Sequence, residues 1–159
     1  EAIEITHNTP DFYLLKSQIA QFEGNDAASV ENRNAYFAML EKNNYGAMYN
    51  KYNTLIYADA KETAPKALEI AKIEVDHRPT PDSYDLLAWS YLNMGQKEKA
   101  LTIAKKYVVG KSSEPKVQYH LAMIYKSNNE YQKVAPIKEE LLSSMYELGP
   151  NLEKKVNQL

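Results

Sequence analysis

In the segment PDSYDLLAWSYLNMG, Tyr84, Leu87, Ala88 and Tyr91 stand at i, i+3, i+4 and i+7, the spacing of one helix face. Gly95 follows where a left-handed residue would end that helix. In QKEKALTIAKKYV the same kind of stripe returns as Ala100, Leu101, Ala104, Tyr107 and Val108. The two segments predict a helical hairpin with a short turn. Alanine at 88 has a physical reason: paired helices approach closely only where a small side chain admits a larger one from the partner.

The pattern recurs along the chain. Pro81 to Pro115 is 34 positions, and at that step Leu87 meets Leu121, Ala88 meets Ala122, Tyr91 meets Tyr125 and Ala100 meets Val134. Upstream, Ala67 to Ala100 and Ala71 to Ala104 are each 33, a slip of one residue in a loop. A longer offset of 71 aligns Thr9-Pro10-Asp11 with Thr80-Pro81-Asp82, Tyr13 with Tyr84 and Gly24 with Gly95, which is two repeats and about three further residues. The shared phrase is the opening of a helix: threonine caps, proline fits the first turn, and aspartate faces the positive end of the dipole.

A repeat of this length, with an aromatic residue, then Leu and a small residue, then Tyr, then two spaced alanines and a proline, resembles the tetratricopeptide repeat. The unit from Pro81 carries it at Tyr84, Leu87, Ala88, Tyr91, Gly95, Ala100, Ala104 and Tyr107. The unit from Pro115 keeps Leu121, Ala122 and Tyr125 but has Gln118 and Val134 at two other places, and Pro136 predicts a kink or late start in its second helix. The preceding unit has a good second helix, with Thr63 as cap, Pro65 in the first turn, then Ala67, Leu68, Ala71 and Val75. Its first helix, over residues 46–58, is apolar on several faces and its register stays open by one residue. The first unit has Lys16 and Ser17 where Leu and Ala are expected, and a long second helix from Asp26 to about Lys42 carrying Val30, Phe37 and Leu40. The resemblance implies an all-α, right-handed α-solenoid of about four hairpins, at about 10–44, 45–79, 80–114 and 115–148, in a single domain over 1–159. Leu148-Gly149-Pro150 stops one helix and starts another, in which Leu152, Val156 and Leu159 make an apolar stripe. This segment, 150–159, is expected to cap the open side of the last unit and to lie close to a natural end. The opening EAIEITHNTPD reads as the tail of a further helix.

Composition narrows the function classes. The 159 residues suit about one domain, and 44% hydrophobic content is enough for a core. With 19 basic and 21 acidic residues the net charge is −2, so no overall field favours nucleic acid or anionic lipid. The lysines at 97, 99, 105, 106 and 111 read as a solvated outer face. No run is long and apolar enough for a membrane span. Glu1 in place of Met points to a processed or cut chain, and the compartment stays open between cytoplasmic and exported after loss of an N-terminal segment. There is no cysteine, hence no thiolate or disulfide chemistry. Of three histidines, His7 and His77 precede Thr-Pro-Asp as loop residues, and His120 lies on a helix beside Tyr119. No HExxH, GxSxG, phosphate-binding loop or metal-spaced carboxylate set occurs, so no catalysis, cofactor or metal is expected. Thirteen tyrosines against three phenylalanines and one tryptophan fit aromatic packing at surfaces that stay partly wet.

The expected role is therefore a non-catalytic scaffold that binds a peptide or protein partner. Two alternatives stand beside it: a repeat module of a larger sensor or enzyme chain, and a self-associating module whose helix 46–58 forms homo-oligomers. The resemblance implies contacts from the second, fifth, ninth and twelfth places of each first helix, on a concave face. These are Asp11, Leu14, Gln18 and Gln21; Asp82, Asp85, Trp89 and Leu92; and Lys116, Tyr119, Met123 and Lys126. A rotation of 100° per residue sets Asp82, Asp85 and Trp89 away from the Tyr84/Leu87/Ala88/Tyr91 stripe, so Trp89 is expected on a polar side, with packing against a neighbouring unit's helix as the competing reading. A face acidic in its middle and basic toward Lys116 and Lys126 suits a partner with a basic and an apolar part.

Overall fold

A proline in the first turn of a helix loses no hydrogen bond, because the N–H it lacks would be unpaired there. Pro10, Pro81 and Pro115 each open a helix in this way in the computed structural model, which describes residues 9–159. The described residues form nine helices and no strand. In chain order they are α1 (Pro10–Phe22), α2 (Asp26–Lys42), α3 (Asn50–Ala58), α4 (Ala64–His77), α5 (Pro81–Asn93), α6 (Lys97–Tyr107), α7 (Pro115–Ser127), α8 (Tyr131–Ser143) and α9 (Met145–Asn157). The protein is all-α over these residues. The expected helix tail before Thr9, with His7, lies outside them. Two compact units divide the chain, Glu1–Gly46 and Ala47–Leu159.

Three of the turns are built alike. After α1, Gly24 (φ 76°) donates to Gln21 O at 3.2 Å and Asn25 to Ala20 O at 2.8 Å. After α5, Gly95 (φ 75°) donates to Leu92 O and Gln96 to Tyr91 O, both at 2.9 Å. After α7, Asn129 (φ 61°) donates to Lys126 O at 3.1 Å and Glu130 to Tyr125 O at 2.9 Å. This paired closure satisfies the last carbonyls of a helix and needs one left-handed residue, which glycine and asparagine supply at least cost.

The small residues fix the register. Ser17, Thr54, Ala88 and Ala122 are all buried at the eighth place of a first helix, counting the second from Ala47. Thr54 is completely buried, and its hydroxyl donates to Asn50 O at 2.8 Å, so α3 accepts a polar residue at that place by satisfying it internally. This resolves the open register of residues 46–58, whose helix begins only at Asn50. From the small residue to its partner in the second helix is twelve positions in three hairpins: Ser17 to Ser29, Ala88 to Ala100, Ala122 to Val134. It is thirteen from Thr54 to Ala67, so the one-residue slip sits in the α3–α4 turn. In the first hairpin the Ser17 hydroxyl donates to Ser29 O at 2.9 Å and lies 3.0 Å from the Ser29 hydroxyl, replacing an alanine contact by a hydrogen-bonded one.

Two second helices add detail to the sequence reading. Pro136 lies inside α8, which starts at Tyr131 and runs to Ser143, so of the kink or late start expected there the late start does not occur. On α2 the fully buried side chain is Tyr36, while Val30 is 44% exposed and Phe37 and Leu40 are half-buried.

In the second unit α3 packs on α4, α5 on α6 and α7 on α8, and the first helices also touch in order, α3 to α5 and α5 to α7. Tyr84 stacks on Tyr107 inside the α5–α6 hairpin, ring centroids 3.8 Å apart and 6° from parallel. The helical path of α9 breaks at Gly149 (φ 70°, ψ 160°), where the sequence stops one helix and starts another. Beyond it Val156 is fully buried against Leu141 and Tyr119, with Leu152 and Leu159 alongside, so this segment covers the sides of α7 and α8.

Candidate partner-binding face

The second and fifth places of α5 and the second place of α7 come together. Asp82, Asp85 and Lys116 line one cleft with Lys51 and Leu55 of α3, Leu86 of α5, Glu114 before α7, and Val117 and His120 of α7. The enclosed space is small, about 10 Å³, which is room for one water-sized group, and it opens to solvent at its mouth. Three consecutive first helices thus share one recess.

Its floor is a buried polar pair. Asp85 Oδ2 and His120 Nδ1 are 2.7 Å apart, and each side chain is 4% exposed. With Asp85 ionised, Nδ1–H donates to the carboxylate; with the proton on Asp85, Oδ2 donates to a neutral ring. Burial pushes the Asp85 carboxyl above its ordinary range, His120 opposes this by charge and hydrogen bond, Asp82 adds to it, and Lys51 opposes it weakly. Oδ1 of Asp85 is buried and meets no hydrogen-bond donor. Buried polar atoms are nearly always paired, so one left free at a cleft calls for a reason.

Trp89 closes the floor. Its ring stacks on His120 at 4.1 Å and 15° from parallel, and lies 6.2 Å from the Tyr119 ring. Asp85 and Trp89 were expected on a solvent-facing polar side. Both are instead buried between α5 and α7, and the competing reading, that Trp89 packs on the neighbouring unit's helix, is what the structure has. A wheel with one apolar stripe fails for a helix with neighbours on several sides.

The rim carries the charges. Asp82 is exposed, and Lys51 Nζ reaches Glu114 at 3.4 Å, an exposed pair of little energetic weight. Lys116 is exposed as a residue, yet its ammonium is crowded by protein on one side; that desolvation, with the charge of Lys51, holds its pKa below the usual lysine value.

The remaining predicted positions divide. Tyr119 is buried and Met123 half-buried in the apolar cluster that Leu141, Leu152 and Val156 complete. Lys126 donates to Gln158 O at 3.0 Å, capping the end of α9. These three are engaged by the C-terminal segment. Leu92 is half-buried between the two main apolar clusters. In the other unit, α1 exposes Asp11, Gln18 and Gln21 and half-buries Leu14. Among the lysines around α6, Lys105 pairs with Glu130 at 2.6 Å, Lys111 donates to Lys106 O at 2.8 Å, and Lys99 and Lys106 lie over the Tyr91 and Tyr107 rings.

No family model, curated protein or solved structure matches the chain. Among the described residues no helix is long and apolar enough to cross a membrane, and no group of three His, Asp or Glu side chains is placed to hold a metal. Sequence reasoning passed over Lys51 and Glu114 and placed His120 on a first helix beside Tyr119 without giving it a role. His120 could have been found from its place 35 positions after Asp85, one turn position from repeat register.

Proposed function

We propose that the chain is a tetratricopeptide-like scaffold, a right-handed solenoid of helical hairpins, that binds a peptide or protein partner on the face made by its first helices. The observation that carries this reading is the shared cleft: α3, α5 and α7 contribute charged side chains of both signs around one recess floored by Asp85 and His120. Repeat architectures bind through such surfaces, where each unit adds one helix to a continuous wall. Asp82 and Asp85 in the middle favour a partner with a basic part, and the aliphatic walls Leu55, Leu86 and Val117 favour an apolar part.

Selection of random twelve-residue peptides on the full chain tests it. Asp82→Lys with Lys116→Glu reverses the rim at two exposed positions without touching the packed floor. The selected peptides are expected to lose affinity by about tenfold or more on this variant, about 1.4 kcal/mol. They should also shift backbone amide resonances of α3, α5 and α7. Peptides that bind the reversed rim equally well, or that shift only α4 and α6, would count decisively against the reading.

A further inference from the structure

We infer that the cleft between α3, α5 and α7 takes the cationic end of a basic side chain, a lysine ammonium or an arginine guanidinium carried by the partner, which supplies the donor that Asp85 Oδ1 lacks. This rests on the binding-face reading above and names the group recognised there. Asp85 lines the cleft and is nine-tenths and more buried; one oxygen is taken by His120 at 2.7 Å and the other meets no donor. A carboxylate oxygen offers only acceptor sites, so its missing partner must be a donor. A charged donor forms the stronger bond, and it forms it where surrounding protein weakens the competition of water.

The chemistry of the walls selects the same class. An anion seated on Lys51 and Lys116 would meet Asp82, Asp85 and Glu114, three carboxylates against two ammonium groups. A bare metal ion would find one buried carboxylate, and no three-member ligand group exists among the described residues. A basic side chain needs only one buried acceptor, a second carboxylate at the rim, which Asp82 provides, and a wall for its aliphatic stem, which Leu55, Leu86 and Val117 provide. Lys51 also lines the cleft, in an exposed 3.4 Å pair with Glu114 that is weak enough to exchange, and its charge acts on the Asp85 carboxyl. Lys51 is thus the internal competitor of the incoming cation.

The test titrates the full-length chain, labelled at Asp and His, with N-acetyl-lysine methylamide, N-acetyl-arginine methylamide and the uncharged N-acetyl-norleucine methylamide. The two basic probes are expected to move the Asp85 carboxyl and His120 ring resonances saturably, with the norleucine probe about tenfold weaker or more. Asp85→Asn should abolish the difference between lysine and norleucine. Lys51→Met leaves the Asp85–His120 pair in place and is expected to tighten the basic probes several-fold. Equal shifts from norleucine, a lysine response that survives in folded Asp85→Asn, or no tightening in Lys51→Met would each overturn the inference. If selected peptides map to α3, α5 and α7 but ignore Asp85→Asn, the inference fails while the binding face stands; peptides that map elsewhere remove both.

Discussion

Two carboxylates lie buried in the second unit, and their surroundings differ by one hydrogen bond. Glu74 on α4 is 3% exposed, and both its oxygens are used: Asn50 Nδ2 donates to Oε1 at 2.7 Å and Arg78 to Oε2 at 2.6 Å. It lies just beneath the surface, covered by its own partners, since Arg78 is largely exposed. Asp85 on α5 is equally hidden, with one oxygen on His120 and one free. Burial alone would raise the Glu74 pKa, but the bonds from Asn50 and Arg78 and the charges of Arg78 and His77 outweigh it, and the net direction is down. For Asp85 burial prevails and the direction is up. A saturated carboxylate is a structural joint, here tying α3 to α4; an unsaturated one at a cleft is a place where something else can bind.

The largest effect expected is from Trp89→Ala, which removes the ring that covers His120 and should cost about 3–5 kcal/mol in urea unfolding. A cost under about 1 kcal/mol would mean that the α5–α7 seam is not packed as described. Glu74→Ala comes next. It strips two hydrogen bonds from Asn50 and Arg78, one of them charged on both sides, and should cost about 2–3 kcal/mol by the same measurement. Asp85→Asn should cost less, about 1 kcal/mol or below, since an amide can still donate to a neutral His120 ring and no carboxylate then needs solvating. If Asp85→Asn proves costlier than Glu74→Ala, the contrast between joint and site is wrong.

The helix starts were legible because proline and glycine act locally. Pro81 and Gly95 need no neighbour to set a first turn or a left-handed closure, and the chain does at both what the sequence reading expects. Asn129 was missed at the same place because its left-handed tolerance is weaker and its letter is common in ordinary loops. The register of α3 was hidden by Thr54, a polar residue at a place where smallness alone matters. The candidate face was half legible. The resemblance put Asp82, Asp85 and Lys116 on one face, but the burial of Asp85 and Trp89 depends on α3 and α7 flanking α5, and a single-helix wheel contains no flanking helix. Glu74 and Arg78 stand at i and i+4 and could have been paired from sequence. Asn50, 24 residues upstream, could not.

The smallest effect is the most discriminating, because the two carboxylates should respond to pH with opposite signs. Glu74 holds its proton more weakly in the folded chain than its ordinary 4.5. Its stabilisation is therefore complete above that value and is lost as pH falls through and below it. Asp85 holds its proton more tightly than its ordinary 3.8, so the folded state carries the extra proton, and stability falls as pH rises from about 3.8 through the raised value. In the parent protein the two slopes oppose each other over part of the acid range. Urea unfolding of the parent and of Asp85→Asn across pH 3 to 8 separates them by subtraction, because groups that do not interact with Asp85 cancel; His120, which does, is controlled by repeating the pair in a His120→Gln background. The parent-minus-variant difference should decline with rising pH and then level off. A difference that rises with pH would mean that Asp85 is stabilised as the anion, its free oxygen already served from within the chain, and the cleft would then have no unmet acceptor to offer a partner.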